Sequence, residues 1–394
     1  MKKIFIIIAL MGIFNLVNAQ WTSTSGPGLN GIVKIAAKGT DIYATSLESG
    51  VRVLRGGEIP WVGSNFSKTS YGICITGEDI YVGTTMEGIF KSSDNGLSWT
   101  AKNAGIPYLG GMMDFAVKGT DLYTASFISG VIKSTDNGEN WTPMNDGLNG
   151  YTDINAILIS GENIWIGSNG GGASLSTDNG TTWTPKNTGM PVTKRVRSLA
   201  VSGTIILAGT YSGVFMTKDN GDNWTALNTG LTDLHITSLV TNGTIIFAGT
   251  AGGGVFKTDL SKDTPTWATI NTGLTSASIS ALNIIGNDLY AAVQESSTTN
   301  IWKRPISQGT AITNVTADNG IVVYPTVATD EITIEATNQN GGQKFTIENL
   351  IGQTVYSATF NKKTTVNVSD FKSGTYLINL TVGKSATTKK FIKQ

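Results

Sequence analysis

The chain has 394 residues, a formal net charge of zero and only 14% charged residues. Such a balanced charge gives no basis for a nucleic-acid-binding surface. A single cysteine, Cys74, excludes an intrachain disulfide, and a single histidine, His235, excludes a zinc site built from several histidines. We expect no cofactor and no metal.

The first 19 residues have the pattern of a secretory signal peptide. Lys2 and Lys3 precede an apolar run over residues 4–16, and the small-residue sequence at 17–19 forms a cleavage site before Gln20. A retained membrane anchor is the alternative, but the run is too short to span a bilayer. No later stretch reaches the length of a membrane span, so we expect an exported chain without a transmembrane segment after cleavage.

From residue 92 onward an eight-residue phrase, Ser-x-Asp-x-Gly-x-x-Trp, recurs at a nearly constant interval. Four clear copies and a fifth, degenerate copy end at Trp99, Trp141, Trp183, Trp224 and Trp267. These tryptophans stand 42, 42, 41 and 43 residues apart. An interval of this length is typical of the blades of a β-propeller, each of which has four antiparallel strands.

A second set of aligned residues indicates that there are seven repeats. It consists of the fourth positions in seven aligned strand-like phrases, namely Tyr43, Tyr81, Tyr123, Trp165, Leu207, Phe247 and Tyr290. Each repeat reads as four short strands separated by Gly- and Asn-containing hairpin turns. The last repeat has no fourth strand of its own, and Trp21 and Thr22 resemble the start of the other fourth strands. We therefore predict an all-β chain with a seven-bladed β-propeller over residues 20–307, in which residues 20–27 complete the last blade.

The eight-residue phrase resembles the Asp-box, or BNR repeat, of sialidase-like and sortilin-like propellers. The resemblance implies that the box is a structural hairpin between the third and fourth strands, and that any chemistry lies on the opposite rim. An Asp or Ser oxygen can accept N–H groups of the turn, and a Trp can fill the gap between blades. The residues with these structural roles are Asp94, Trp99, Asp136, Trp141, Asp178, Trp183, Asp219 and Trp224.

Residues 308–320 read as a linker, and seven short alternating runs in residues 321–394 predict a small antiparallel β-sandwich. This module resembles the type A sorting domain of the type IX secretion system of Bacteroidetes. The resemblance rests on the sequences at 322–325, 348–353, 373–377 and 389–393, although Thr326 departs from the family pattern. It implies that the module engages the secretion machinery and that the chain passes through the periplasm and is released or attached at the outer-membrane cell surface. An adhesive sandwich is the alternative.

The predicted rim opposite the Asp-boxes carries the loops between blades and those between second and third strands. Aromatic side chains beside amides and charges are suited to bind a sugar or a peptide. The candidate ligand-binding residues are Glu48, Glu87, Phe127, Tyr151, Arg195, Arg197, Tyr211 and His235. Solvated loop surface is the alternative for each residue taken alone. We expect an extracellular glycan or protein as the ligand.

Catalysis is the less favoured function, and no catalytic residue is assigned. A sialidase needs three arginines that converge on the substrate, and no arginine motif of that kind occurs here. A glycoside hydrolase would need two facing carboxylates on the rim, where Glu48, Glu87, Asp153 and Glu295 are available. That enzyme is the alternative to non-catalytic binding.

Asp114 stands in a column of mostly small residues that is predicted to face the centre of the ring. Because an isolated buried charge is costly, it needs a partner. Lys34, in the same column two repeats earlier, is the expected one.

Overall fold

The computed structural model describes residues 20–24, 26, 29–57, 60–296, 298–306, 321–324, 327–328, 330–336, 343–349, 353–382 and 385–393. The chain divides into two compact units, residues 1–308 and 309–394. The predicted signal peptide and linker lie outside the described residues. Within the described part, no helix has the length and apolar character needed to cross a membrane.

The first unit consists of seven four-stranded sheets, numbered one to seven in chain order. Sheets one to three contain β2 (Ile32–Lys38), β3 (Asp41–Ser46), β4 (Gly50–Leu54) and β5 (Val62–Gly63); β6 (Ser70–Thr76), β7 (Asp79–Thr84), β8 (Ile89–Ser92) and β9 (Thr100–Ala101); and β10 (Met112–Lys118), β11 (Asp121–Ser126), β12 (Gly130–Ser134) and β13 (Thr142–Pro143). Sheets four and five contain β14 (Ile154–Ser160), β15 (Asn163–Ser168), β16 (Gly172–Ser176) and β17 (Thr184–Pro185); and β18 (Val196–Ser202), β19 (Ile205–Thr210), β20 (Gly213–Thr217) and β21 (Thr225–Ala226). Sheets six and seven contain β22 (Ile236–Asn242), β23 (Ile245–Thr250), β24 (Val255–Asp259) and β25 (Ala268–Thr269); and β26 (Ser278–Ile285), β27 (Asp288–Gln294), β28 (Thr299–Pro305) and β1 (Thr22–Ser23).

The seven sheets form a closed ring. The strands of each sheet are antiparallel, and they follow chain order in sheets one to six. The first strand of each sheet lies against the first strand of the next. The first strand of sheet seven, β26, in turn lies against β2 of sheet one. This is the arrangement of a seven-bladed β-propeller with its first strands innermost.

Sheet seven is completed from the other end of the unit. β1 pairs with β28, with Thr22 opposite Lys303 and Ser23 opposite Trp302. Thr24 adds a backbone hydrogen bond to Ile301. With β1 and β27 as its two neighbours, β28 is paired on both sides, like the third strands of the other six sheets.

In six of the seven sheets, one tryptophan joins the sheet to the one before it. The indole Nε1 of Trp141 donates to the Lys102 carbonyl oxygen at 3.0 Å, and that of Trp183 donates to Met144 at 2.7 Å. The same contact is made by Trp99, Trp224, Trp267 and Trp21. Trp21, which is 2% exposed, donates to Ile270 and so fills the position of the missing tryptophan of sheet seven.

The repeated turn between third and fourth strands is a hydrogen-bonded hairpin, here named the repeat hairpin. In sheet three, Ser134 Oγ donates to Asp136 Oδ1 at 2.8 Å and accepts from the Gly138 amide at 2.9 Å. Asp136 Oδ1 also accepts from the Asn140 amide at 2.9 Å. Asn137 and Gly138 have φ values of 59° and 81°, the left-handed conformation that Asn and Gly tolerate.

Sheet one lacks this aspartate and uses a different arrangement. Arg55, in a short 3-10 turn at Arg55–Gly57, forms an ion pair with Asp41 at 2.6 Å. Its other nitrogen donates to the Asn95 carbonyl oxygen in the repeat hairpin of sheet two at 2.7 Å. Arg55 therefore joins two sheets where the sequence phrase is missing.

Cys74 lies on β6 and is partly buried. Desolvation by its surroundings, with a smaller contribution from the charge of Asp114, nevertheless raises the pKa of the thiol to about 12. Since the thiolate is the reactive form, this cysteine is inert near neutral pH.

The second unit has two sheets. The three-stranded sheet contains β29 (Ile321–Tyr324), β31 (Glu331–Ala336) and β34 (Lys363–Asn367). The five-stranded sheet contains β30 (Val327–Ala328), β36 (Ser385–Lys393), β35 (Gly374–Val382), β32 (Gln343–Asn349) and β33 (Thr354–Phe360). Side chains of both sheets share one buried cluster, which includes Ile332, Ile334, Phe345, Ile378 and Phe391.

Two features of this unit correct the sequence prediction. The strand β30 was not predicted, so the described residues contain eight strands instead of seven. It pairs parallel to β36, with Val327 opposite Ile392, whereas the other pairs are antiparallel. A two-residue strand is too short to show the alternation by which the longer strands were recognised.

Candidate functional site

One rim of the propeller, here named the ligand rim, gathers two sets of loops. In an up-and-down sheet, the start of the first strand, the end of the second and the start of the third lie at the same edge. The loops between sheets and those between second and third strands therefore share this rim. The repeat hairpins, which connect third to fourth strands, lie at the opposite edge, where the sequence placed Asp94, Asp136, Asp178 and Asp219.

A β-bulge near the start of each first strand points a side chain towards the centre of the ring. Register shifts occur in all seven first strands. A bulge adds one residue to a strand and re-aims its side chain. The residues at these bulges are Val33, Tyr71, Met113, Asn155, Arg197, Thr237 and Ser280, and all seven line one cavity of about 470 Å³. This volume is within the range of small-ligand sites.

The cavity contains the expected ion pair. Lys34 Nζ lies 2.8 Å from Asp114 Oδ1, and Asp114 Oδ2 accepts from the Ile157 amide at 3.3 Å. Lys34 is thereby neutralised, whereas the other cation that lines the cavity, Arg197, has no carboxylate within 4 Å among the described residues. Within the described part of the chain, Arg197 is therefore the cation of the cavity lining that lacks an ion-pair partner.

Four of the eight candidate residues form one cluster, and one of them, Arg197, also lines this cavity. The imidazole of His235 stacks on the ring of Tyr211, with centroids 4.2 Å apart and an interplanar angle of 27°. The guanidinium carbons of Arg195 and Arg197 lie 5.7 and 5.9 Å from the centroid of the same ring. Arg197 Nη1 also donates to the Tyr211 hydroxyl at 3.2 Å. Two cations and an imidazole thus converge on one half-exposed tyrosine.

Asp233, which the sequence did not single out, holds the loop that carries His235. Its Oδ1 accepts from the His235 amide at 3.0 Å, and its Oδ2 accepts from the Gly252 amide at 2.6 Å. Partial burial lowers the pKa of His235, and the charge of Arg197 lowers it further, so the imidazole is neutral near pH 7. The His235 Nε2 and Thr237 Oγ1 atoms are buried without a hydrogen-bond partner among the described residues.

The other four candidates lie on other blades and do not join this cluster. Glu48 is exposed in sheet one, and Glu87 in sheet two forms an ion pair with Lys68. Phe127 in sheet three is 47% exposed. Tyr151, 53% exposed, lines a separate cavity of about 150 Å³. The structure thus brings Arg195, Arg197, Tyr211 and His235 together and leaves the other four candidates apart.

Two families match parts of the sequence. Residues 322–394 match the secretion system C-terminal sorting domain, and residues 111–238 match the DUF6242 beta propeller domain. The first match indicates a protein that a secretion system exports to the exterior or to the cell surface. No curated protein matches the chain.

Solved propellers share the fold at low sequence identity. PorZ, a surface component of the type IX secretion system of Porphyromonas gingivalis, is 16% identical over 94% of this chain, with a TM-score of 0.53. This chain spans 60% of the PorZ chain. YCF48 from Cyanidioschyzon merolae is 13% identical, with 73% of this chain and 98% of that chain covered and a TM-score of 0.56. A structure of YCF48 bound to D1 peptide is also 13% identical. The match covers 74% of this chain and 98% of that chain, with a TM-score of 0.57.

Proposed function

We propose that this protein is a cell-surface propeller that binds a glycan or protein ligand on its ligand rim without chemical turnover. The observation that carries the proposal is the convergence of Arg195, Arg197 and His235 on the ring of Tyr211, in a cluster that Arg197 connects to the central cavity. Positively charged groups beside an open cavity attract and orient an anionic or polar ligand.

Binding accounts for the rim better than glycoside hydrolysis. Three of the four acids that a hydrolase could use are engaged in local contacts: Glu87 pairs with Lys68, Asp153 Oδ2 accepts from Asn169 Nδ2 at 2.9 Å, and Glu295 accepts from Asn300 Nδ2 at 3.0 Å. The fourth, Glu48, is exposed in sheet one. The four acids also belong to different blades. A hydrolase needs two carboxylates that flank one bond.

A glycan array and a hydrolysis screen on the chain from Gln20 onward test this proposal. We expect retention of one ligand class without turnover, and loss of retention when Tyr211 is replaced by Ala. Hydrolysis that is lost in Glu87→Gln or Asp153→Asn would instead establish the enzyme. A protein that binds neither glycans nor peptides would contradict the proposal.

We further propose that residues 321–394 direct export through the type IX secretion machinery. The sorting-domain match supports this role, and the shared core of the two sheets supports a sandwich-like fold for the module. The Ser-Asp-Gly hydrogen bonds of the repeat hairpins support the resemblance to Asp-box repeats.

A further inference from the structure

The two arginines of the ligand rim are held in place before any ligand binds. A guanidinium is attracted to the face of an aromatic ring, and Arg195 and Arg197 both lie within 6 Å of the Tyr211 ring centroid. The hydrogen bond from Arg197 to the Tyr211 hydroxyl and the bulge of β18 fix Arg197 further. Such preorganisation reduces the entropy lost on binding.

Neither arginine forms a direct ion pair with a carboxylate. Among the described residues, no Asp or Glu oxygen lies within 4 Å of either guanidinium, whereas Arg55 pairs with Asp41. Asp233 accepts backbone amides, and Asp153 accepts from Asn169 while the charge of Arg195 acts on it from a longer distance. A guanidinium presents a planar fork of donors that matches a carboxylate. The two arginines therefore suit an anionic group, and a carboxylate is the one that an unmodified polypeptide supplies.

Apolar side chains flank these cations on the same loops. Val192 is 97% exposed in the loop that leads to Arg195, and Leu234, 42% exposed, precedes His235. Lys194 is also exposed and accepts amides of Gly170 and Gly172 through its carbonyl oxygen, so the loops of sheets four and five are continuous. The surface formed by Val192, Lys194, Arg195, Arg197, Tyr211 and Leu234 is here named the basic arc.

The basic arc suits a polypeptide better than a sugar. A sugar ring packs on an open aromatic face, but the Tyr211 ring is already stacked with His235 and contacted by two guanidiniums. Exposed Val192 and Leu234 offer contacts to apolar side chains of a partner. We propose that the basic arc binds an acidic polypeptide segment in which apolar residues alternate with carboxylates. This inference rests on the proposed binding function and specifies its ligand.

The test uses the full chain from Gln20 and a labelled peptide of repeated Glu-Glu-Leu. Binding of the peptide is measured by fluorescence anisotropy at physiological salt. Peptides of repeated Gln-Gln-Leu and Glu-Glu-Ser remove the charge or the apolar residue, and oligogalacturonate supplies carboxylates on a glycan. We expect Glu-Glu-Leu to bind most tightly. Arg195→Gln and Arg197→Gln should each weaken it about tenfold or more, as expected for loss of a charge-assisted hydrogen bond.

Lys262→Gln is the matched control, because Lys262 is exposed beyond β24, on the rim of the repeat hairpins, and the substitution removes the same charge. It should leave peptide binding unchanged. Equal losses in all three variants, or equal binding of Gln-Gln-Leu, would overturn the inference. Binding of oligogalacturonate without binding of Glu-Glu-Leu would also overturn it while leaving the proposed function intact. Binding of no peptide and of no glycan on the array would overturn both.

Discussion

At the scale of single residues, the aspartates of the repeat hairpins act on stability through their charged form. Hydrogen bonds from Asn140, first from its side chain and then from its amide, with a further one from Ser134, lower the pKa of Asp136 to about 2. The folded protein therefore holds this carboxylate charged at a pH where the unfolded chain, near 3.8, has protonated it. The contribution of Asp136 to the free energy of unfolding is present above about pH 4 and is lost as the pH falls towards 2.

We expect Asp136→Asn to lower the thermal midpoint at pH 7, because the amide cannot accept at both oxygen positions. The difference from the unchanged protein should shrink between about pH 4 and pH 2, where Asp136 itself becomes protonated. Thermal unfolding followed by circular dichroism across this range provides the measurement. Asp263→Asn, in an exposed loop of sheet six, serves as the control. A midpoint difference that stays constant down to pH 2 would contradict this account.

The candidate site shows how far single residues could be predicted. Loop position in the repeat was enough to propose Arg195, Tyr211 and His235, since the loops between blades and those between second and third strands share one rim. The orientation of Arg197 depends on a bulge in β18, which an alternating pattern does not reveal. Asp233 was missed because its partners, the amides of Gly252 and Gly253, belong to the next blade.

At the scale of elements, the tryptophan contacts make the closing strand essential. Trp21 is almost completely buried, donates to Ile270 at 2.6 Å and lies under the guanidinium of Arg304. Trp61 occupies the related position in sheet one but is only partly buried, and its Nε1 lies 3.4 Å from Thr24 Oγ1. The two residues are therefore a matched pair for a test.

We expect Trp21→Ala to lower the free energy of unfolding by about 3–5 kcal/mol, as is usual for a large buried aromatic side chain. Trp61→Ala should cost less than half as much, because less of its surface is buried. Urea denaturation followed by tryptophan fluorescence and circular dichroism measures both. Equal losses in the two variants would show that Trp21 does not complete sheet seven as described.

The elements themselves were largely predictable because the repeat supplies seven versions of each strand. The missing fourth strand of sheet seven was found by counting tryptophans, and β1 occupies that place. The short strand β30 was not found, since its partner β36 lies more than 50 residues further along the chain and no repeat offers a second copy for comparison.

At the scale of the whole molecule, the two units have separate cores and, on our proposal, separate roles. Deletion of residues 322–394 should leave the propeller folded but prevent its delivery to the cell surface. Surface proteolysis of intact cells and fractionation provide the measurement, with the unchanged chain as control. Normal surface delivery of the shortened chain would refute the sorting role.

The pairing of β1 with β28 also leads to an expectation about the order of folding. Thr24 and Ile301 are 277 residues apart, so this contact forms only after nearly the whole propeller has been synthesised. Sheets one to six can build on their neighbours locally, but joining the distant ends carries a large loop-closure cost and is expected to be slow. Until then, β28 and the face of sheet one stay uncovered. We therefore expect this long-range strand pairing to form last. The chain is most exposed to self-association before it forms.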